Sequence, residues 1–184
     1  MAKKTVTSWK SKKIYPILAP ENFEYKEIGK TISSDEGLLK GRTVIASLGD
    51  LTNERAKNYM NLIFEIVDVK GDKAQTRLKK FFIPTGYLRS KVRKRTTKID
   101  YLQDLHIDGK KLRVKLMVLS RYKVSEAQEA QIKAGIKAVI DDYVQLGADK
   151  FVQQTLFGKL GTDIYKRIKP ICPVTRVEVY EIEL

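Results

Sequence analysis

The stretch LHIDGKKLRVKLMVL (residues 105–119) places two apolar runs on either side of the pair Asp108-Gly109. Asp-Gly tolerates the left-handed backbone angles that a two-residue turn between antiparallel strands requires. Beyond it, Leu112, Val114, Leu116 and Val118 alternate with Arg113 and Lys115. A period of two gives one apolar and one wetted face, the mark of a half-buried strand. The segment is a β-hairpin, and the sheet it belongs to is antiparallel.

Toward the N-terminus the same pattern repeats. NLIFEIVDV (61–69) puts Leu62, Phe64 and Ile66 on one face, and KGDK (70–73) is a turn leading to Ala74, Thr76 and Leu78 in alternation with Gln75, Arg77 and Lys79. VIASL (44–48) is a short strand closed by the turn signal Gly49-Asp50, and IYPILAP (14–20) is an extended segment punctuated by prolines. Toward the C-terminus the period changes to that of a helix. Ser125 and Gln128 form a capping box ahead of Ile132, Ile136, Ile140 and Tyr143. Gly147 ends that helix, Asp149 caps a second that stops at Gly158, and Thr162 starts a third that stops at Pro170. TRVEVYEIEL (175–184) returns to strand alternation. The expected fold is α+β, with an antiparallel, barrel-like β core and helices packed around it.

Of the 184 residues, 42% are hydrophobic, so a real core is within reach and wholesale disorder is excluded. Lys and Arg number 36 against 22 Asp and Glu, a net charge of +14. Such an imbalance predicts adhesion to polyanions, nucleic acid first among them. No apolar run approaches the roughly 18 residues that span a bilayer, and MAKKTVTSWKSKK at the start has no hydrophobic signal core. The single cysteine, Cys172, precludes an intrachain disulfide and suits a reducing compartment, so a cytoplasmic location is expected. Residues 1–13 are expected to be a basic arm, ahead of one α+β RNA-binding domain over 14–184.

The charge is concentrated in YLRSKVRKRTTKID (87–100), where Arg89, Lys91, Arg93, Lys94, Arg95 and Lys98 stand with Asp100 as the one acid. As a strand this segment has a poor core face. As a helix capped by Thr85, it turns Leu88 and Val92 inward and sets Lys91, Lys94, Arg95 and Lys98 in one cationic stripe, which would follow successive phosphates. The helix is the better reading. The arm adds Lys3, Lys4, Lys10, Lys12 and Lys13 around Trp9, an aromatic that either stacks on a base while the lysines meet phosphates or docks on its own domain. Arg77, Lys79, Lys80, Arg113 and Lys115 add cations on exposed strand faces, most of them read as ordinary surface.

Enzyme chemistry is poorly supplied. One histidine and one cysteine make no zinc ligand set. His106 beside the hairpin turn reads as structural, and Cys172 between Ile171 and Pro173 reads as buried. Phosphate-loop, dinucleotide and nucleophile-elbow motifs do not occur. The acidic residues allow a divalent-metal nuclease built from a set such as Asp50, Glu65 and Asp68, but those three are spread over different strand faces. The expectation is no cofactor, no metal and no catalysis. A free RNA- or DNA-binding factor accounts for the charge as well as a structural component does.

Particular blocks go beyond composition. KKIYPILAPENF (12–23), EIGKT (27–31), GRTVIASLGDLT (41–52), YLRSKVRKRTTKID (87–100), LRVKLMVLS (112–120) and FGKLGTDIYKRIKPICPVTRVEV (157–179) occur in this order. Together they resemble the small-subunit ribosomal protein family called S-three-Ae in archaea and S-three-a in eukaryotes. The chain departs from the family pattern at FFIPTG (81–86), where a histidine and an acidic residue are common. The resemblance implies a β-barrel-centred α+β domain on the platform of the small subunit, near the mRNA exit and the 3′ end of its rRNA. It implies rRNA and neighbouring ribosomal proteins as partners, with mRNA near the exit as a further one, and neither catalysis nor cofactor. The short form looks archaeal.

Overall fold

The computed structural model describes residues 12–184. The chain forms two compact units, the first running through Lys80 and the second from Phe81 to Leu184. In the first unit β1 (Lys13–Leu18) pairs antiparallel with β2 (Glu27–Ser33), with Ile14 opposite Ile32. β3 (Thr43–Ser47) pairs antiparallel with β4 (Asn61–Lys70), with Val44 opposite Phe64. β4 turns at Gly71, which adopts a positive φ, into β5 (Lys73–Phe82). The predicted alternation is obeyed: Leu62, Phe64 and Ile66 are buried. Tyr15, Ile17, Leu39, Ile66 and Ala74 pack together. β5 lies parallel to β1 over Ile17 and Leu18, and the Thr76 hydroxyl donates to the Leu18 carbonyl at 2.7 Å.

One turn signal in this unit resolves differently. Leu48-Gly49-Asp50 opens α1 (Leu48–Thr52), a single helical turn whose Ser47 hydroxyl accepts from the Gly49 amide at 3.1 Å. Gly49 is required by space, because a Cβ there would lie 2.9 Å from the Glu54 carbonyl oxygen, which is backbone, as well as against the Asn58 side chain. The Lys26 ammonium closes the other end, donating to the Asp50 carbonyl and, at 3.0 Å, to Asn53 Oδ1. A cation at a helix C-terminus satisfies carbonyls that lack an intrahelical partner.

The second unit begins with α2 (Thr85–Lys91) and continues as a meander of β6 (Lys98–Ile107), β7 (Lys110–Ser120) and β8 (Val174–Glu183). β7 is central, antiparallel to both neighbours. Asp108 and Gly109 take positive φ at the turn, as the sequence requires. Leu112, Val114, Leu116 and Val118 are buried, and so are Met117 and Leu119 on the opposite face, which makes β7 the core strand of the unit. Between β7 and β8 come α3 (Glu126–Val144), α4 (Ala148–Leu156) and α5 (Lys159–Ile168). They bury Ile132, Ile136 and Ile140, then Phe151, then Leu160, Ile164 and Ile168, each set at helical spacing.

Both arms of the capping box on α3 are present, with Gln128 N–H on Ser125 Oγ at 3.4 Å and Ser125 N–H on Gln128 Oε1 at 3.2 Å. The other two helix starts are corrected. At α4 the capping carboxylate is that of Asp108, which accepts the Ala148 amide at 2.8 Å, while Asp149 lies within the first turn. α5 begins at Lys159, because Gly158 in a left-handed conformation both ends α4 and starts the next helix; Thr162 bonds back to the Gly158 carbonyl. Within the two units the β strands pair mostly antiparallel, and the α+β reading holds. No helix among the described residues is long and apolar enough to cross a membrane.

Candidate nucleic-acid interface

The basic segment divides between three kinds of backbone. Pro84, with its fixed φ, leads into α2, and Leu88 is the one residue of the helix that reaches the core. The helix stops at Lys91 because Val92 turns extended, with ψ at 126°. Val92 is 39% exposed and does not share the inward face with Leu88. A loop runs from Val92 to Thr97, and β6 begins at Lys98. The continuous helical stripe of Lys91, Lys94, Arg95 and Lys98 is therefore absent, and Thr85 is the first helical residue rather than the cap. Strand pairing overrides local helical spacing, since Lys98 and Ile99 sit opposite Leu119 and Val118 of β7.

Threonines set the loop. The Thr96 hydroxyl donates to the Arg93 carbonyl at 2.7 Å. The Thr97 amide donates to Ser120 Oγ at 2.9 Å, the Ser120 amide returns to the Thr97 carbonyl at 3.0 Å, and the Val124 amide donates to Thr97 Oγ1 at 3.1 Å. This double tie fixes the loop beside the end of β7 and leaves Arg93, Lys94 and Arg95 exposed. The Arg121 amide in turn donates to the Pro173 carbonyl at 2.8 Å, which brings the start of β8 alongside.

The result is a groove of about 680 Å³ with Leu119, Ser120 and Val174 among its lining. Lys91, Arg93, Lys94, Arg121 and Arg176 line it, and no carboxylate does. Arg176 is held from both sides, by Glu178 at 2.9 Å and by the Tyr87 hydroxyl at 3.1 Å. Burial pushes the Glu178 carboxyl above its ordinary range although Arg176 and Lys91 pull it down. The Lys91 ammonium lies 4.5 Å from the centre of the Tyr87 ring.

Ion pairing distinguishes this segment from the strand faces, where most cations have a carboxylate partner. Arg77 and Lys79 share Glu65 at 3.3 and 3.6 Å, Arg113 binds Asp104 through two nitrogens, and Lys115 meets Glu181 at 2.8 Å. Arg113 holds the Asp104 carboxyl below the usual range. Lys98 is withdrawn in the same way, by Asp100 at 2.7 Å. Among the described residues Arg89, Arg93, Lys94, Arg95 and Arg121 meet no carboxylate within ion-pair distance. Five unneutralised cations on adjoining turns are a site for an extended anion.

Arg121 and Arg176 were not singled out from the sequence. The hairpin register offered a signal for Arg121, because pairing outward from Asp108-Gly109 carries the 92–97 loop and the residues after Ser120 to the same end of the sheet. Lys12 and Lys13 belong to the first unit and are exposed. Lys3, Lys4, Trp9 and Lys10, like most of the expected arm, lie outside the described residues.

Two of the weighed nuclease trio are ion-paired, Glu65 with Arg77 and Lys79 and Asp68 with Lys40 at 3.1 Å, while Asp50 lies in α1. Among the described residues no three His, Cys, Asp or Glu side chains converge on a metal position. Cys172 is buried, which pushes its thiol pKa up and disfavours the nucleophilic thiolate. His106 stands on the exposed face of β6, opposite Lys111.

Comparison with known proteins identifies the family. The Ribosomal S3Ae family matches residues 1–184. A small ribosomal subunit protein eS1 from Archaeoglobus fulgidus is 37% identical over 180 residues, covering 96% of this chain and 85% of that protein. Its namesake from Sulfurisphaera tokodaii is 35% identical over 178 residues, covering 96% of this chain and 92% of its own. A whole-length family match and relatives of near-equal span leave one assignment: the chain belongs to the Ribosomal S3Ae family.

Proposed function

We propose that this protein is a structural constituent of the small ribosomal subunit in the cytoplasm, and that it binds rRNA through the groove between the 92–97 loop, Arg121 and the start of β8. The observation that carries the reading is the set of cations without carboxylate partners around that groove, in a chain whose other strand cations are largely paired. Family membership supports a structural rather than a catalytic role. Within the subunit, the family resemblance favours the platform near the mRNA exit, with neighbouring ribosomal proteins and passing mRNA as further contacts. At the N-terminal end, Lys3, Lys4, Trp9 and Lys10 contact the same RNA, together with Lys12 and with Lys13 at the start of β1.

Two pairs of variants carrying the same charge change test the groove. Arg93→Gln with Lys94→Gln should weaken rRNA binding and flatten the log–log salt dependence by about 0.7–0.9 per lost phosphate contact. Arg77→Gln with Lys79→Gln removes paired cations and should leave the slope near that of the wild type. Equal slopes in both pairs would refute the groove. Retention on small subunits through a moderate-salt wash tests the integrated role, since a free RNA- or DNA-binding factor washes off.

A further inference from the structure

We infer that the groove takes an unpaired segment of RNA rather than a duplex, with one base stacked on Tyr122; this rests on the reading of the groove as the rRNA site. Tyr122 is 60% exposed and directly follows Arg121, a lining residue of the groove. Its ring is backed on one side by the Arg121 guanidinium, 5.7 Å from the ring centre. Its backbone is fixed as well, because the Ser120 hydroxyl donates to the Tyr122 carbonyl, and that same hydroxyl receives the Thr97 amide of the cationic loop. One serine therefore ties an open aromatic face to the loop that presents Arg93 and Lys94. A rigid ring beside a row of cations is the arrangement that binds single strands, where bases stack on side chains while phosphates follow the charge.

Dimensions point the same way. A volume of about 680 Å³ falls within the range of pockets that hold one small organic molecule. A duplex keeps its bases stacked inward and offers side chains its sugars and phosphates, so the Tyr122 ring would have nothing to stack on. The Thr175 hydroxyl, exposed in the lining, has no hydrogen-bond partner among the described residues, so it is available to a sugar hydroxyl or a base edge.

The test measures the full chain against an unstructured RNA of about ten nucleotides, a site size ordinary for single-strand binders, and against the duplex of the same sequence. Tyr122→Ala should weaken single-strand binding roughly tenfold, the usual effect of losing one stacked base, and leave duplex binding and both salt slopes unchanged. Tyr122→Phe keeps the ring and should stay within about twofold of the wild type. A 2-aminopurine in the single strand should lose fluorescence on binding the wild type and not on binding Tyr122→Ala. Equal losses on both forms of RNA, or no loss on the single strand, would overturn the inference. The groove itself is judged separately by the slope of the Arg93→Gln, Lys94→Gln pair: an altered slope with an unchanged Tyr122→Ala variant refutes stacking and keeps the rRNA site.

Discussion

Arg95 has a φ of +68°, in the left-handed region that costs a side chain about 1 kcal/mol and that glycine enters freely. Arg95→Gly should therefore raise the free protein's stability by about 0.5–1 kcal/mol in denaturant titration, while weakening RNA binding at low salt. Opposite signs in the two measurements would identify Arg95 as a residue kept for its charge at the expense of the backbone. Nothing in the sequence marked this conformation, since arginine has no preference for it. Tyr143 offers a second case. Its hydroxyl donates to Asp163 Oδ2 at 2.5 Å, and burial first, then that bond, push the phenol from 10.0 up to about 12. A group with a raised folded pKa lends its stability in full below its unfolded value and loses it as pH climbs through the folded one. Tyr143→Phe should cost about 1 kcal/mol at neutral pH. That deficit should narrow between about pH 10 and 12, followed as denaturation midpoints of both proteins.

At the scale of elements, the loop at 92–97 depends on Ser120, which is buried, accepts the Thr97 amide at its hydroxyl and returns its own amide to the Thr97 carbonyl. Ser120→Ala leaves the Thr97 amide without its acceptor and should cost about 1–3 kcal/mol. Hydrogen exchange should speed up at the Thr97 amide, and RNA affinity should fall although no charge has been removed. An unchanged exchange rate would mean the loop holds without the serine. This tie also explains what the sequence could and could not disclose. Strands β4 and β7 and the box at Ser125 were legible because alternation and capping are encoded within a few neighbours. The end of α2 was not, because the pull on Lys98 and Ile99 comes from β7, some twenty residues along the chain. Cationic composition located the segment; only the register located Arg121 beside it. The α4 cap was hidden for the same reason, since Asp108 lies forty residues from Ala148.

Over the whole molecule a net charge of +14 opposes compaction when no anion is bound. Raising salt from about 0.05 to about 0.5 M should therefore increase the melting temperature of the free protein, because screening relieves repulsion among exposed cations more than it weakens surface pairs of small worth. A falling melting temperature would mean that pairs such as Arg113–Asp104 dominate. The order in which the groove is assembled has a consequence for biosynthesis. Arg93 and Lys94 leave the translating ribosome early, on a loop whose ties to Ser120 and Val124 are complete soon after. Val174, Thr175 and Arg176, the opposite wall, are made only after three helices have intervened. A nascent chain arrested within those helices exposes half a groove, with the cations but without the wall that encloses a strand. On the proposed reading of the groove, tight capture of RNA would wait until β8 has been synthesised and paired with β7.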